Sequence, residues 1–247
     1  LMIVNEADNL DQTSIATLLR EHNLPGDDGY DPLPTDDVMV DGGMQAFVTS
    51  LAKNIKPSLG ESVEAVIRTE NGISVQTTRR RIDADSVIVT VPLGVLKAET
   101  IRFDPGLPVE HRAAIDRLGF GNEKKTCLVY PDTNWTKEHH MVGLHDSPYF
   151  NFMVNVAAIA GKPMIMALSA GNKLIAADSL SIDELATALH ANVRATLGPD
   201  IPDPIDHSTT DWGNDPYALG AYSHSSLNTL GNEAEILQRP IAGRILL

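Results

Sequence analysis

The clearest periodicity in the chain opens at Ser181-Ile-Asp-Glu184, where a hydroxyl residue followed three positions later by a glutamate can satisfy the free amides of a helix start. Behind it Ile182, Leu185, Leu189, Val193 and Leu197 repeat at helical spacing, which predicts an amphipathic helix with one apolar face. A second stripe, Met44, Phe47, Val48, Leu51 and Ile55, follows Asp41-Gly42-Gly43 and predicts a helix ending near Lys56 with one face buried. Residues 107–118 read as a third helix, with Pro108 suited to its first turn. Residues 11–22 read as a fourth, with Asp11 as cap and Ile15, Leu18 and Leu19 on one side.

Other apolar runs have the strand habit. Val63 to Arg68 and Ile73 to Thr78 flank a segment containing Asn71-Gly72, a pair that takes the positive φ angles of a tight turn, so a β-hairpin is predicted. The run Ser86-Val-Ile-Val-Thr-Val91 is continuous and β-branched, predicting a strand buried on both faces and closed by Pro92. Lys125–Tyr130 and Met164–Leu168 complete the predicted strands. Strands and helices mix without strict βαβ alternation, so the class is mixed α/β, with no internal repeat.

Composition narrows the functions. A chain of 247 residues that is 43% hydrophobic can bury a sizeable core. The net charge of −14 argues against a nucleic-acid partner, which selects a clustered basic face. No apolar run has membrane-spanning length and the first residues lack a basic start, so neither a membrane nor secretion is indicated and a soluble, cytoplasmic protein is favoured. The lone Cys127 rules out an internal disulfide and reads as a packing residue. Ten Asp or Glu and one Arg fall in residues 1–41, and five of those acids, Asp27, Asp28, Asp31, Asp36 and Asp37, lie in a turn-rich segment over 25–37. Such a segment reads either as a solubilising surface or as a field that draws in cations.

Most enzymatic constellations are missing. The adjacent His139 and His140 would diverge on a regular element, no HExxH pair exists, and no metal site is expected. Neither a GxSxG elbow nor a phosphate-binding glycine loop is present, and Gly119-Phe-Gly-Asn-Glu-Lys-Lys125 precedes a strand rather than opening a helix.

Several longer phrases occur in a telling order. They are Gly42-Gly43-Met44 at a helix start, the Val63-x-x-Val66 strand, Val87-Ile-Val-Thr-Val-Pro-Leu-Gly-Val-Leu-Lys97, Leu118-Gly-Phe-Gly-Asn122 with Lys125, and Trp212-Gly-Asn-Asp-Pro-Tyr-Ala-Leu-Gly-Ala-Tyr222. Together they resemble the later two-thirds of the flavin-dependent amine oxidases, in the branch of the polyamine oxidases and lysine-specific histone demethylases. The resemblance covers residues 38–247. It implies a two-domain fold in which residues 1–38 and 99–228 belong to a substrate-binding domain, and 39–98 and 229–247 to an FAD-binding domain. By the same resemblance the chain lacks the N-terminal GxGxxG element and the segment after Gly243-Arg-Ile-Leu-Leu247, so it is expected to be a fragment.

The resemblance also assigns residues. Lys125 matches the lysine that holds a water near the flavin. By composition Lys124 has an equal claim, but strand alternation lets only one of the two face a cleft, and the spacing from Gly119-Phe-Gly selects Lys125. Trp212, Tyr217 and Tyr222 match aromatics that flank the flavin and the amine channel. Val63 matches a backbone contact to the adenine, Thr90, Val91 and Pro92 a strand end beside the flavin ring, and Ala221 a further cofactor contact with Trp212 and Tyr222. The implied activity is FAD-dependent oxidation of a basic amine, a polyamine foremost, with a small amine and molecular oxygen as partners. An L-amino-acid oxidase, a histone-demethylase-like protein and a non-catalytic remnant are the alternatives.

Overall fold

The computed structural model describes residues 40, 42–134 and 140–247. The predicted helix over 11–22 and the acidic segment over 25–37 lie outside the described residues.

The first part of the chain supplies α1 (Gly43–Leu51), strands β1 (Val63–Arg68), β2 (Ile73–Thr77), β3 (Arg81–Ala84) and β4 (Val87–Ile88), α2 (Leu93–Lys97), β5 (Arg102–Asp104) and α3 (Val109–Arg117). Next come β6 (Gly119–Phe120), β7 (Glu123–Val129), β8 (Met141–Gly143), β9 (Phe152–Asn155), α4 (Val156–Ala160) and β10 (Met164–Ala170). The last part holds α5 (Asn172–Ala177), α6 (Ile182–Leu197), β11 (Asp206–Thr209), β12 (Ser223–His224), α7 (Glu233–Leu237) and β13 (Ile245–Leu246).

Two sheets organise these elements. One has the order β3-β2-β1-β5, with the β1–β2 hairpin turning at Gly72, whose carbonyl accepts from the Thr69 amide at 2.9 Å. Beside it β13 pairs in parallel with β4, and Val66, Ile73, Ile241 and Ile245 share a core with Val87, Val89 and Phe103. The end of the chain thus returns to the segment around residues 63–89. The parallel partner β5 also extends this sheet past residue 98.

The larger sheet is antiparallel throughout, in the order β11-β7-β10-β9-β8. Helix α6 closes one of its faces. At its start the Ser181 amide donates to Glu184 Oε2 at 2.8 Å and the Glu184 amide to Ser181 Oγ at 3.3 Å, the reciprocal cap that the sequence pattern predicts. Leu185, Leu189 and Val193 then bury completely against Leu128, Tyr130, Met153 and Ile165. Each such side chain contributes about 1.5–3 kcal/mol relative to exposure, so this face is where the fold is anchored.

Two expectations fail. The apolar stripe of α1 is not buried: Met44, Phe47, Val48, Leu51 and Ile55 remain 48–68% exposed, because no described element packs across it. The run at 86–91 is not a strand buried on both faces. It forms only a two-residue ladder with β13, and its burial alternates, with Val87, Val89 and Val91 turned inward and Ile88 70% exposed. With β13 as its single strand neighbour among the described residues and one packed side, the β-branched run behaves there as an edge strand.

Candidate active site

The chemistry-bearing residues converge where β7 begins. Strand alternation places Glu123 and Lys125 on one side of β7 and Lys124 on the other. The segment after β11 is bonded to the same strand: the Lys125 amide donates to Thr210 Oγ1 at 2.9 Å, and the Thr210 amide donates back to the Lys125 carbonyl at 3.0 Å.

From Thr210 the chain enters a tight turn system that carries the aromatic phrase. The Asp215 amide donates to the Asp211 carbonyl at 3.2 Å and the Gly220 amide to the Trp212 carbonyl at 3.0 Å. The Gly121 amide then donates to the Tyr222 carbonyl at 2.7 Å, and the Ala221 amide to the Gly121 carbonyl at 2.9 Å. These bonds fold residues 212–222 back onto β6. Gly220 is required there, since its φ is +140° and a Cβ would sit 2.5 Å from the Phe120 ring. Gly94 plays the corresponding part in α2, where a Cβ would lie 2.5 Å from the Ala218 carbonyl oxygen. The close approach that Gly94 permits brings Pro92, at the end of the β4 run, to the same place.

The result is a cleft of about 360 Å³ lined by Pro92, Phe120, Glu123, Lys125, Trp212, Ala218, Gly220, Ala221 and Tyr222. Pro92, Lys125, Trp212, Ala221 and Tyr222 of the sequence-predicted set are therefore together. The others are elsewhere: Val63 opens β1, Thr90 and Val91 precede Pro92 without lining the cleft, and Tyr217 is 68% exposed with its hydroxyl 3.0 Å from Ser62 Oγ.

The two lysines have separate settings. Lys124 is buried behind the cleft, with its ammonium 2.6 Å from Asp178 and 3.6 Å from Asp211, so it ties β7 to the end of α5 and to the turn that carries Trp212. Lys125 projects into the cleft, its ammonium 3.5 Å from Glu123. Glu123 is 3% exposed, and burial pushes its carboxyl above the usual range, offset in part by the Lys125 charge. Glu123, Phe120, Ala218 and Gly220 line the cleft without having been singled out in the sequence. Alternation could have found Glu123, two residues before a lysine already placed in a cleft.

Among the described residues no group of three or more His, Cys, Asp or Glu is placed to hold a metal, and no helix is long and apolar enough to cross a membrane. Cys127 sits half-buried on the Lys125 side of β7, and burial raises its thiol pKa.

The chain matches solved flavin amine oxidases in fold. Putrescine oxidase bound to putrescine superimposes with a TM-score of 0.71 at 24% identity, and cyclohexylamine oxidase from Brevibacterium oxydans with 0.68 at 19%. Each match covers 83% of this chain and 46% of the other, so the present chain forms part of their two-domain architecture. Curated relatives include the Arabidopsis thaliana lysine-specific histone demethylase 1 homolog 2, 33% identical over 89% of this chain, and the Arabidopsis thaliana probable polyamine oxidase 4, 33% identical over 74%. The chain spans 30% of the first and 37% of the second. The family model for flavin containing amine oxidoreductases matches residues 8–247, and the chain belongs to that family, whose cofactor is FAD.

Proposed function

We propose that this chain provides the amine-facing part of an FAD-dependent enzyme that oxidises a basic amine. One observation carries the reading: Pro92, Lys125, Trp212, Ala221 and Tyr222, distant in sequence, line one cleft. The cleft suits a flat ring system, since Trp212 and Tyr222 present aromatic surface that is 46% and 43% exposed and a bound ring would cover it. FAD, held against Pro92, Trp212 and Tyr222, would supply the two-electron acceptor for amine oxidation, with molecular oxygen as the terminal oxidant.

The chain's own residues supply the setting for that chemistry. Lys125, fixed through both its amide and its carbonyl to Thr210, holds a water at the cofactor face of the cleft. Trp212, Tyr222 and Phe120 exclude bulk solvent and offer π faces to a cationic or neutral amine. Pro92 ends the β4 run at the cleft edge and has no amide hydrogen to satisfy there. Thr90 and Val91, on the strand end that leads into Pro92, meet the flavin ring through backbone groups, and Val63 meets the adenine in the same way. On this reading residues 39–98 and 229–247 build into the FAD-binding domain, as the β4–β13 pairing supports.

A second substrate class is supported by the relatives named as histone demethylases: the methylated ammonium of a lysine side chain. The flavin absorbance of the full-length protein, mixed without oxygen with putrescine, spermine or a dimethyl-lysine peptide, separates the readings. Bleaching by the free amines supports the oxidase, bleaching by the peptide alone supports the demethylase, and an unchanged spectrum with all three removes both.

A further inference from the structure

Two buried carboxylates in this molecule have opposite surroundings. Glu233 is 2% exposed and fully partnered: the Arg117 guanidinium lies at 2.7 Å, and the amides of Leu230 and Gly231 each donate at 2.9 Å. Burial alone would raise its pKa, yet these donors outweigh that and hold it at about 2. Glu123 is just as buried, at 3%, but the cation beside it is Lys125 at 3.5 Å. That separation exceeds the 2.7–2.9 Å of a strong charge-assisted hydrogen bond by more than half an ångström. Glu123 therefore keeps acceptor capacity in a place shielded from bulk water, and its pKa is raised where that of Glu233 is lowered.

The surroundings of that carboxylate define what it accepts. It lines a cleft whose remaining walls are mostly aromatic and apolar, with Phe120, Trp212 and Tyr222 among them. An under-compensated carboxylate among aromatic faces recognises an alkylammonium, through one charge-assisted hydrogen bond and cation–π contact. We propose that Glu123 is the ammonium-recognising residue of the cleft, selecting cationic amines and disfavouring substrates that carry a carboxylate. The inference rests on reading the cleft as the amine site and adds to it the group that sets substrate charge. Lys125 lies 3.5 Å from the same carboxylate and turns away from it when an ammonium binds there.

The test uses the full-length protein with its flavin chemically reduced, so that an amine binds without being oxidised. Calorimetric titration with putrescine gives the affinity, and flavin content checks the integrity of each variant. Glu123→Gln is expected to weaken putrescine binding by about tenfold or more with flavin content unchanged, and Glu123→Asp to stay within about threefold of wild type. Unchanged affinity in Glu123→Gln, or equal losses in both variants, overturns the assignment. A pure role in holding Lys125 would lower kcat without altering putrescine affinity, and that result also overturns it. Wild-type protein provides a comparison that needs no variant: 4-aminobutyrate, with a carboxylate in place of one ammonium, binds at least about tenfold more weakly than putrescine. Equal affinities overturn the role of Glu123 and leave the amine-site reading intact, whereas a wild-type protein that binds neither compound removes both.

Discussion

The two faces of the five-stranded sheet are built differently. On one, Leu128, Tyr130, Met153, Ile165 and Ala167 meet α6 in a cluster that excludes solvent. On the other, the register aligns Cys127 with Met166 and Met166 with Val154, and only a smaller cluster forms, in which Phe152, Met164 and Met166 stay partly exposed. The second face carries Lys125 and Glu123 on the strand that also carries Cys127, so it leads directly into the cleft. Period-two alternation lets one strand serve both purposes, with the packed core on its α6 side and the lining of the candidate cleft on the other. A well-packed face resists change, while an incompletely packed one leaves room for a ligand.

That contrast can be broken by substitution. Leu189→Ala on the closed face removes a fully buried side chain from α6 and is expected to cost about 3–4 kcal/mol in denaturant unfolding. Glu233→Gln tests a buried anchor remote from the sheet. Because the folded pKa of Glu233 lies below its unfolded value of about 4.5, its contribution is complete above that pH and disappears as pH falls towards 2. Wild-type protein should therefore lose about 2–3 kcal/mol more than Glu233→Gln across that window, measured by urea unfolding at each pH. Lys124→Met removes a buried cation whose two partners are about half exposed, with an expected cost of about 1–2 kcal/mol in thermal unfolding. Met166→Ala on the open face is expected to cost no more than about 1 kcal/mol, because part of the side chain is already in solvent. A loss as large as that of Leu189→Ala would mean that the two faces are equally packed.

Elements with a strong local signal were legible in the sequence: the capped helix α6, the β1–β2 hairpin and the cores of β7 and β10 all form where their patterns place them. Neither Asn71 nor Gly72 takes the positive φ expected of the turn, however, and Gly72 instead allows the close approach of the Ala84 carbonyl. β3 and β11 were not. Arg81-Ile-Asp-Ala84 and Asp206-His-Ser-Thr209 are largely polar segments at sheet edges, held by backbone pairing that leaves no apolar alternation to read. The α1 stripe and the 86–91 run show the converse, because an apolar pattern states what a face can bury and not whether a neighbour is present to cover it. For the cleft, phrase-level resemblance identified Lys125, Trp212, Ala221, Tyr222 and Pro92, which the fold brings together. Glu123 was hidden because a lone glutamate beside two lysines reads as a solvated charge until burial is known.

The adjacent lysines allow the most direct test, since they differ by one position and by the face they serve. Full-length protein bearing Lys125→Met or Lys124→Met is mixed with putrescine without oxygen, and the bleaching of the flavin is followed over a range of amine concentrations. The account predicts that Lys125→Met slows the limiting rate by about a hundredfold or more with amine affinity little changed, while Lys124→Met keeps a near-normal rate in its folded fraction. Near-normal rates in both variants, or an equal loss in both, would contradict the placement of the chemistry on the Lys125 face.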